Sequence, residues 1–221
     1  MTGIDLAVLD MAGTTVRDDG AVESAFGAAL RAAGTPIGAE LEHALEQARA
    51  TMGQSKIEVF RAILGDEARA QTANAAFEAA YDETIASSGA EPLPGAEEAL
   101  HELRANGVRV CLTTGFSEST QGRLVAALGW TKLVDLTLAP NRTRRGRPYP
   151  DLVLEAVLRL RIDDVHAVAV AGDTVSDLVA GTRAGAAIVA GVLTGAHGRA
   201  QLAAAPHTHI LDSIAQLPAL C

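Results

Sequence analysis

From residue 96 to residue 211 the chain alternates short apolar runs with helical stretches, and no other feature constrains its fold as much. The spacing predicts helices over 96–105, 119–128, 151–160, 176–184 and 200–204. It predicts strands over 108–112, 134–138, 165–171, 187–192 and 209–211. Strands separated by helices pair in parallel, so the expected class is α/β, a Rossmann-like parallel sheet with helices on both faces. One further apolar run, residues 4–9, opens the chain and reads as a short buried strand.

Between that first strand and the alternation lie about seventy residues with no strand signal. Val22, Phe26, Ala29 and Leu30 fall on one helical face, closed by Gly34. Leu41, Ala44, Leu45 and Ala48 mark a second helix. A third starts near Ser55 with Ile57, Phe60, Ile63 and Leu64, and a longer fourth carries Ala73, Phe77, Tyr81 and Ile85 as far as Gly89. Glu91-Pro92-Leu93-Pro94-Gly95 reads as a hinge. The expected organisation is a core of residues 1–16 and 95–221, with an inserted all-helical cap over residues 17–94.

Composition narrows the function classes. A formal net charge of −9 argues against general nucleic-acid binding, which needs a basic face. No apolar run is long enough to span a bilayer, and the first residues have no basic, cleavable leader pattern. Cys111 and Cys221 form neither a disulfide framework nor a metal motif, so a reducing cytoplasm is expected. Cys111 lies in an apolar run and reads as core, as does the sole tryptophan, Trp130. The six histidines show no metal-ligand spacing, and no glycine-rich nucleotide phrase occurs.

Four stretches carry candidate chemistry. Asp10 ends the first apolar run and precedes the small turn Met11-Ala12-Gly13-Thr14-Thr15, where open α/β sheets place their ligands. An ordinary helix-capping turn would use the same residues. Thr113-Thr114-Gly115-Phe116 offers a hydroxyl and free N–H groups to phosphate oxygens, or a simple cap. Gly146-Arg147-Pro148-Tyr149-Pro150 sets a cation before a proline-stiffened turn, while Arg142, Arg144 and Arg145 read as exposed loop charges. Gly172-Asp173-Thr174-Val175-Ser176-Asp177 supplies two carboxylates that, with Asp10, would make an oxygen site for Mg²⁺.

Asp10-Met11-Ala12-Gly13-Thr14-Thr15, Thr114, Arg147 and Asp173 occur in the motif order of the haloacid dehalogenase superfamily, and the fuller phrases resemble its phosphonatase branch. The resemblance implies that Asp10 is a nucleophile passing through an aspartyl phosphate. It implies Mg²⁺ held by Asp10, the Ala12 carbonyl and Asp173 with support from Asp177, and a phosphoryl group positioned by Thr114, Gly115 and Arg147. Most phosphatases of the superfamily carry an acid–base Asp at the place of Ala12. Met52-Gly53-Gln54-Ser55-Lys56 resembles the branch's Met-Gly-x-x-Lys, which makes Met52 a substrate contact and Lys56 the amine that forms a Schiff base with an aldehyde. Two places depart from the branch: Val59 stands where it has His, and Met11 where it has Trp.

The expected activity is P–C cleavage of phosphonoacetaldehyde or a similar phosphonate. A phosphomonoesterase of phosphoglycolate phosphatase type is the alternative, and a non-catalytic phospho-acceptor module a remote one. The resemblance further implies a homodimer paired through the cap.

Overall fold

The computed structural model describes residues 3–221. Strand β1 (Leu6–Asp10) is followed by four helices, α1 (Ala21–Ala32), α2 (Ala39–Ala50), α3 (Lys56–Leu64) and α4 (Glu67–Ser88). The rest alternates: α5 (Ala96–Ala105), β2 (Arg109–Thr113), α6 (Glu118–Ala127), β3 (Leu136–Leu138), α7 (Asp151–Leu160), β4 (Val168–Gly172), α8 (Val175–Ala184), β5 (Ile188–Val192), α9 (Arg199–Ala203) and β6 (His209–Leu211). The six strands lie in the order β3-β2-β1-β4-β5-β6, and every pairing is parallel. This is the Rossmann-like α/β sheet that the alternation implies.

All five residues of β1 are buried, as a parallel strand covered on both faces requires. Its side chains alternate between two cores. Ala7 and Leu9 pack with Val110, Leu112 and Ala171 under α5 and α6, whereas Leu6 and Val8 pack with Cys111, Val170 and the Leu152–Ala156 face of α7. The first core continues past the sheet through Met11 and Phe116 into Phe26, Phe60, Phe77 and Tyr81 of the inserted helices. Phe26 lies 5.2 Å from Phe60 and 5.0 Å from Phe77, and Tyr81 lies 4.5 Å from Phe116, between ring centroids. At roughly 1.5–3 kcal/mol per buried aromatic, this cluster holds the inserted helices to one another, and the contacts of Phe77 and Tyr81 with Phe116 join them to the end of the sheet.

The chain enters and leaves the helical insertion through two adjacent segments. Arg17 N–H donates to Glu91 O at 2.9 Å, and Leu93 N–H donates to Thr15 O at 3.0 Å. Val16 and Pro92 form an antiparallel bridge.

Three expectations are corrected. The run 165–171 is not all strand: Val165–Ala167 form a 3₁₀ turn and β4 starts at Val168. Asp164 causes this, because its carboxylate accepts the His166 N–H at 2.8 Å and its carbonyl accepts the Ala167 N–H at 3.0 Å. The run 134–138 shortens to β3 because a 3₁₀ turn at Trp130–Lys132 holds Val134 N–H on Trp130 O. Arg144 is not an exposed loop charge, since its side chain is only 14% exposed and pairs with Glu118 and Glu155.

Candidate active site

The strand order reverses direction at β1, with β2 on one side and β4 on the other. The crevice at the carboxyl ends of these strands is where such sheets bind ligands. Asp10 closes β1 opposite Thr113 of β2. It is 5% exposed and faces a cavity of about 630 Å³. Burial pushes its carboxyl up to about 6, against the pull of the Arg147 guanidinium and with a further push from Asp177.

Arg147 reaches this carboxylate from the loop before α7, and the same Nη1 also pairs with Asp177. Arg147 Nε is buried and makes no hydrogen bond among the described residues. Asp177 Oδ2 accepts from the N–H and hydroxyl of Thr174, which caps α8. Asp177 thus ties Arg147, through one oxygen, to the start of α8, through the other, beside the Asp10 carboxylate.

Asp173 follows β4 and faces the same cavity. Its Oδ1 accepts from Thr14 Oγ1 at 3.2 Å and its Oδ2 from Ala196 N at 2.6 Å. Gly13 (φ +84°) and Gly195 admit it: a Cβ would stand 2.7 Å from Oδ2 at the first and 2.0 Å at the second. Burial, then the charges of Asp10 and Asp177, raise the Asp173 carboxyl well above its usual range. No group of three or more His, Cys, Asp or Glu side chains suited to a metal occurs among the described residues. Two mutually repelling carboxylates and the Ala12 carbonyl, which accepts no hydrogen bond among the described residues, nevertheless fit Mg²⁺. That ion is commonly held by one or two carboxylates and completed by substrate oxygens and water.

The loop between α2 and α3 covers this crevice. Ser176 Oγ donates to Met52 O at 3.1 Å, and Lys56 N–H donates to Gly115 O at 3.1 Å. The approach at Gly115 is close enough that a Cβ there would stand 2.3 Å from Gln54 O. Thr114 is buried, its hydroxyl accepts from Phe116 N–H at 3.2 Å, and with Met52, Ala12 and Gly115 it lines the cavity.

Lys56 opens α3 and is 7% exposed. Its Nζ faces the rings of Phe26, Phe116 and Phe77 at 5.3, 5.4 and 5.8 Å from the centroids. No carboxylate lies within 4 Å of it among the described residues. Burial, then repulsion from Arg147, lower the amine to about 8, against the attraction of Asp10, Asp18 and Asp173.

The sequence model of the haloacid dehalogenase-like hydrolases matches residues 4–185. The chain belongs to this family. A probable phosphatase of Dickeya dadantii, IndB, is 29% identical over 216 residues, covering 96% of this chain and 91% of that one. A Bacteroides fragilis phosphonoacetaldehyde hydrolase is 30% identical over 202 residues, covering 83% and 74%. The crystal structure of a phosphonoacetaldehyde hydrolase-like protein from Oleispira antarctica superposes with a TM-score of 0.82 at 23% identity, over 98% and 91% of the two chains. The chain is therefore an enzyme of the haloacid dehalogenase hydrolase type.

In this hydrolase several cavity residues escape sequence reasoning. His197, after β5, accepts the Val175 N–H on Nδ1 at 3.0 Å, and burial lowers its pKa. Asp18, after the first turn, and Glu23 and Arg49 on α1 and α2 complete the wall. None stands in a motif, and Phe26 and Phe77 look in sequence like any helical core stripe. Among the described residues no helix is long and apolar enough to cross a membrane.

Proposed function

We propose that this hydrolase cleaves the P–C bond of phosphonoacetaldehyde or a similar small carbonyl phosphonate. In this reading residues 17–94 act as a cap on the core of residues 1–16 and 95–221. The placement of Lys56 carries the choice: a nearly dry amine, unpaired and lowered to about 8, shares a cavity with a strand-end carboxylate. An amine must be neutral to attack a carbonyl, and this one is neutral far more often than an ordinary lysine.

Lys56 Nζ adds to the aldehyde carbon and water leaves, giving an iminium. Asp10 attacks phosphorus, and the electrons of the breaking P–C bond flow into the iminium to give an enamine. Water then releases phosphate from the aspartyl phosphate, and hydrolysis of the protonated enamine frees acetaldehyde and Lys56. Thr114, the Gly115 N–H and Arg147 hold the phosphoryl oxygens, and the unpaired Arg147 Nε supplies a further donor. Mg²⁺, held by Asp10, the Ala12 carbonyl and Asp173 with Asp177 in support, would offset the charge of those oxygens. Ala12 cannot donate a proton, which an alkoxide leaving group wants and an enamine does not. Met52 contacts the substrate from the cap. Ile37, 84% exposed between α1 and α2, offers an apolar point for a second copy.

The full-length match to a probable phosphatase favours one second reading, a phosphomonoesterase on a small ester such as phosphoglycolate. The protein should be incubated with Mg²⁺ and either phosphonoacetaldehyde or a panel of phosphomonoesters, with phosphate and acetaldehyde measured. Equimolar phosphate and acetaldehyde, lost in Lys56→Arg, support P–C cleavage. Turnover of esters alone, retained in Lys56→Arg, supports the second reading.

A further inference from the structure

We propose that Asp18 is the proton-transfer group for the chemistry of the Lys56 amine, moving protons to and from the substrate oxygen at the carbonyl carbon. The inference rests on the iminium reading above and assigns a step that reading leaves without a residue. Forming an iminium requires an acid to expel the carbinolamine oxygen as water, and hydrolysing it requires a base to deprotonate the incoming water.

Nothing in contact with the amine can do this. Three phenyl rings surround Nζ, and Val59, one turn along α3, is 2% exposed and apolar. The other titratable groups of the cavity are already occupied. Asp10 pairs with Arg147 and is the phosphorus nucleophile. Asp173 accepts from Thr14 and Ala196. Glu23 is paired with Arg49 at 2.6 Å. His197 has the lone pair of Nδ1 engaged by Val175 N–H. Tyr81, next to the ring of Phe116, is held far above the ordinary phenol range by burial and stays protonated.

Asp18 remains. It lines the cavity with Lys56, and its charge is felt by Lys56 and by Tyr81. No cation pairs with it within 4 Å among the described residues, the neighbouring Arg17 turning instead to Asp19 and Glu91. Its Oδ1 accepts the Val22 N–H at 3.0 Å, which anchors the carboxylate at the start of α1. Burial raises its carboxyl, which favours an acid that can both give and recover a proton.

The steps balance. The Lys56 lone pair forms the C–N bond, and a proton moves from nitrogen to oxygen to give the neutral carbinolamine. The Asp18 carboxyl protonates that hydroxyl, the C–O bond breaks with release of water, and the iminium and the Asp18 carboxylate remain. On the return, the carboxylate takes a proton from the water that adds to the ethylidene iminium. The carbinolamine then collapses to acetaldehyde and free amine.

Asp18→Asn tests this, because an amide Oδ1 still accepts the Val22 N–H while the transferable proton is lost. The rate at which borohydride traps phosphonoacetaldehyde on Lys56 is measured in the wild type, Asp18→Asn, Asp18→Glu and Asp18→Ala, the last with and without formate. General acid–base catalysis contributes roughly 10²–10⁴-fold. Trapping in Asp18→Asn should therefore slow about a hundredfold, with partial recovery in Asp18→Glu and formate rescue of Asp18→Ala. Slowing of less than about tenfold, or slowing that neither glutamate nor formate relieves, overturns the assignment while leaving the iminium reading intact. Absence of an adduct in the wild type overturns both.

Discussion

Replacing Lys56 with methionine should stabilise the protein at pH 7 while abolishing carbonyl chemistry. The native amine falls from 10.5 to about 8 on folding, chiefly because burial strips its water. At about 1.4 kcal/mol per pKa unit, the ammonium costs ~3 kcal/mol near neutral pH. The rings of Phe26, Phe77 and Phe116 return part of this as cation–π attraction. At 5.3–5.8 Å they sit near the ~6 Å limit of such contacts, so about 1 kcal/mol is a fair allowance. The net penalty is ~2 kcal/mol. Methionine keeps most of the stem volume and makes favourable sulfur–aromatic contacts in the same cage.

The sign with pH follows from linkage. Below about pH 8 the lysine is charged in both states, and the full penalty stands. Between about 8 and 10.5 the folded protein releases the proton first. The unfolded state then holds more protons, and the native lysine protein gains stability as pH rises. Urea unfolding of both proteins at intervals from pH 7 to pH 10.5 should show Lys56→Met ahead by ~2 kcal/mol at pH 7, with the gap closing toward the top of the range. A less stable Lys56→Met at pH 7, or a gap that ignores pH, would refute a desolvated amine in the native state.

Other expectations follow from the same geometry. Asp10→Asn should end phosphate release from every substrate with an unchanged circular dichroism spectrum, whereas retained turnover would remove Asp10 as nucleophile. A chelator should abolish activity, and Mg²⁺ should both restore it and raise the melting temperature, because a cation that binds only the folded Asp10–Asp173 pair stabilises it; a melting temperature indifferent to Mg²⁺ counts against the site. Gly115→Ala should cut kcat/KM by about 10²-fold, since its methyl would stand 2.3 Å from Gln54 O and displace the loop that carries Lys56. Near-normal kinetics in that variant would mean that the loop need not dock there.

What the sequence made legible divides by range. The sheet was readable because each βα unit announces itself within ten residues, and strands buried on both faces, such as Val8 and Val170 on one side and Leu9 and Ala171 on the other, cannot hide their apolarity. Boundaries failed where a single side chain rewrote local hydrogen bonding, as Asp164 does by turning 165–167 into a 3₁₀ turn inside a run that reads as continuous strand. The motif residues Asp10, Thr114, Arg147 and Asp173 were readable as positions, but their electrostatic roles were not. Asp177 reads in sequence as a carboxylate supporting the metal, and the fold adds its contacts with Arg147 and Thr174, which no local pattern announces.

The least legible part is the environment of Lys56. Phe26 and Phe77 sit on helical stripes 51 residues apart, and Phe116 follows a core strand, so no local pattern joins them. Their convergence converts a helix-opening lysine, ordinarily a solvated charge, into an amine whose charged form is disfavoured. The aromatic core that fastens the inserted helices to the sheet is the same surface that dries the amine. Packing and reactivity are thus coupled at Phe116: any change that loosens its contacts with Tyr81 and Phe77 admits water to Lys56 and returns its pKa toward that of an ordinary lysine.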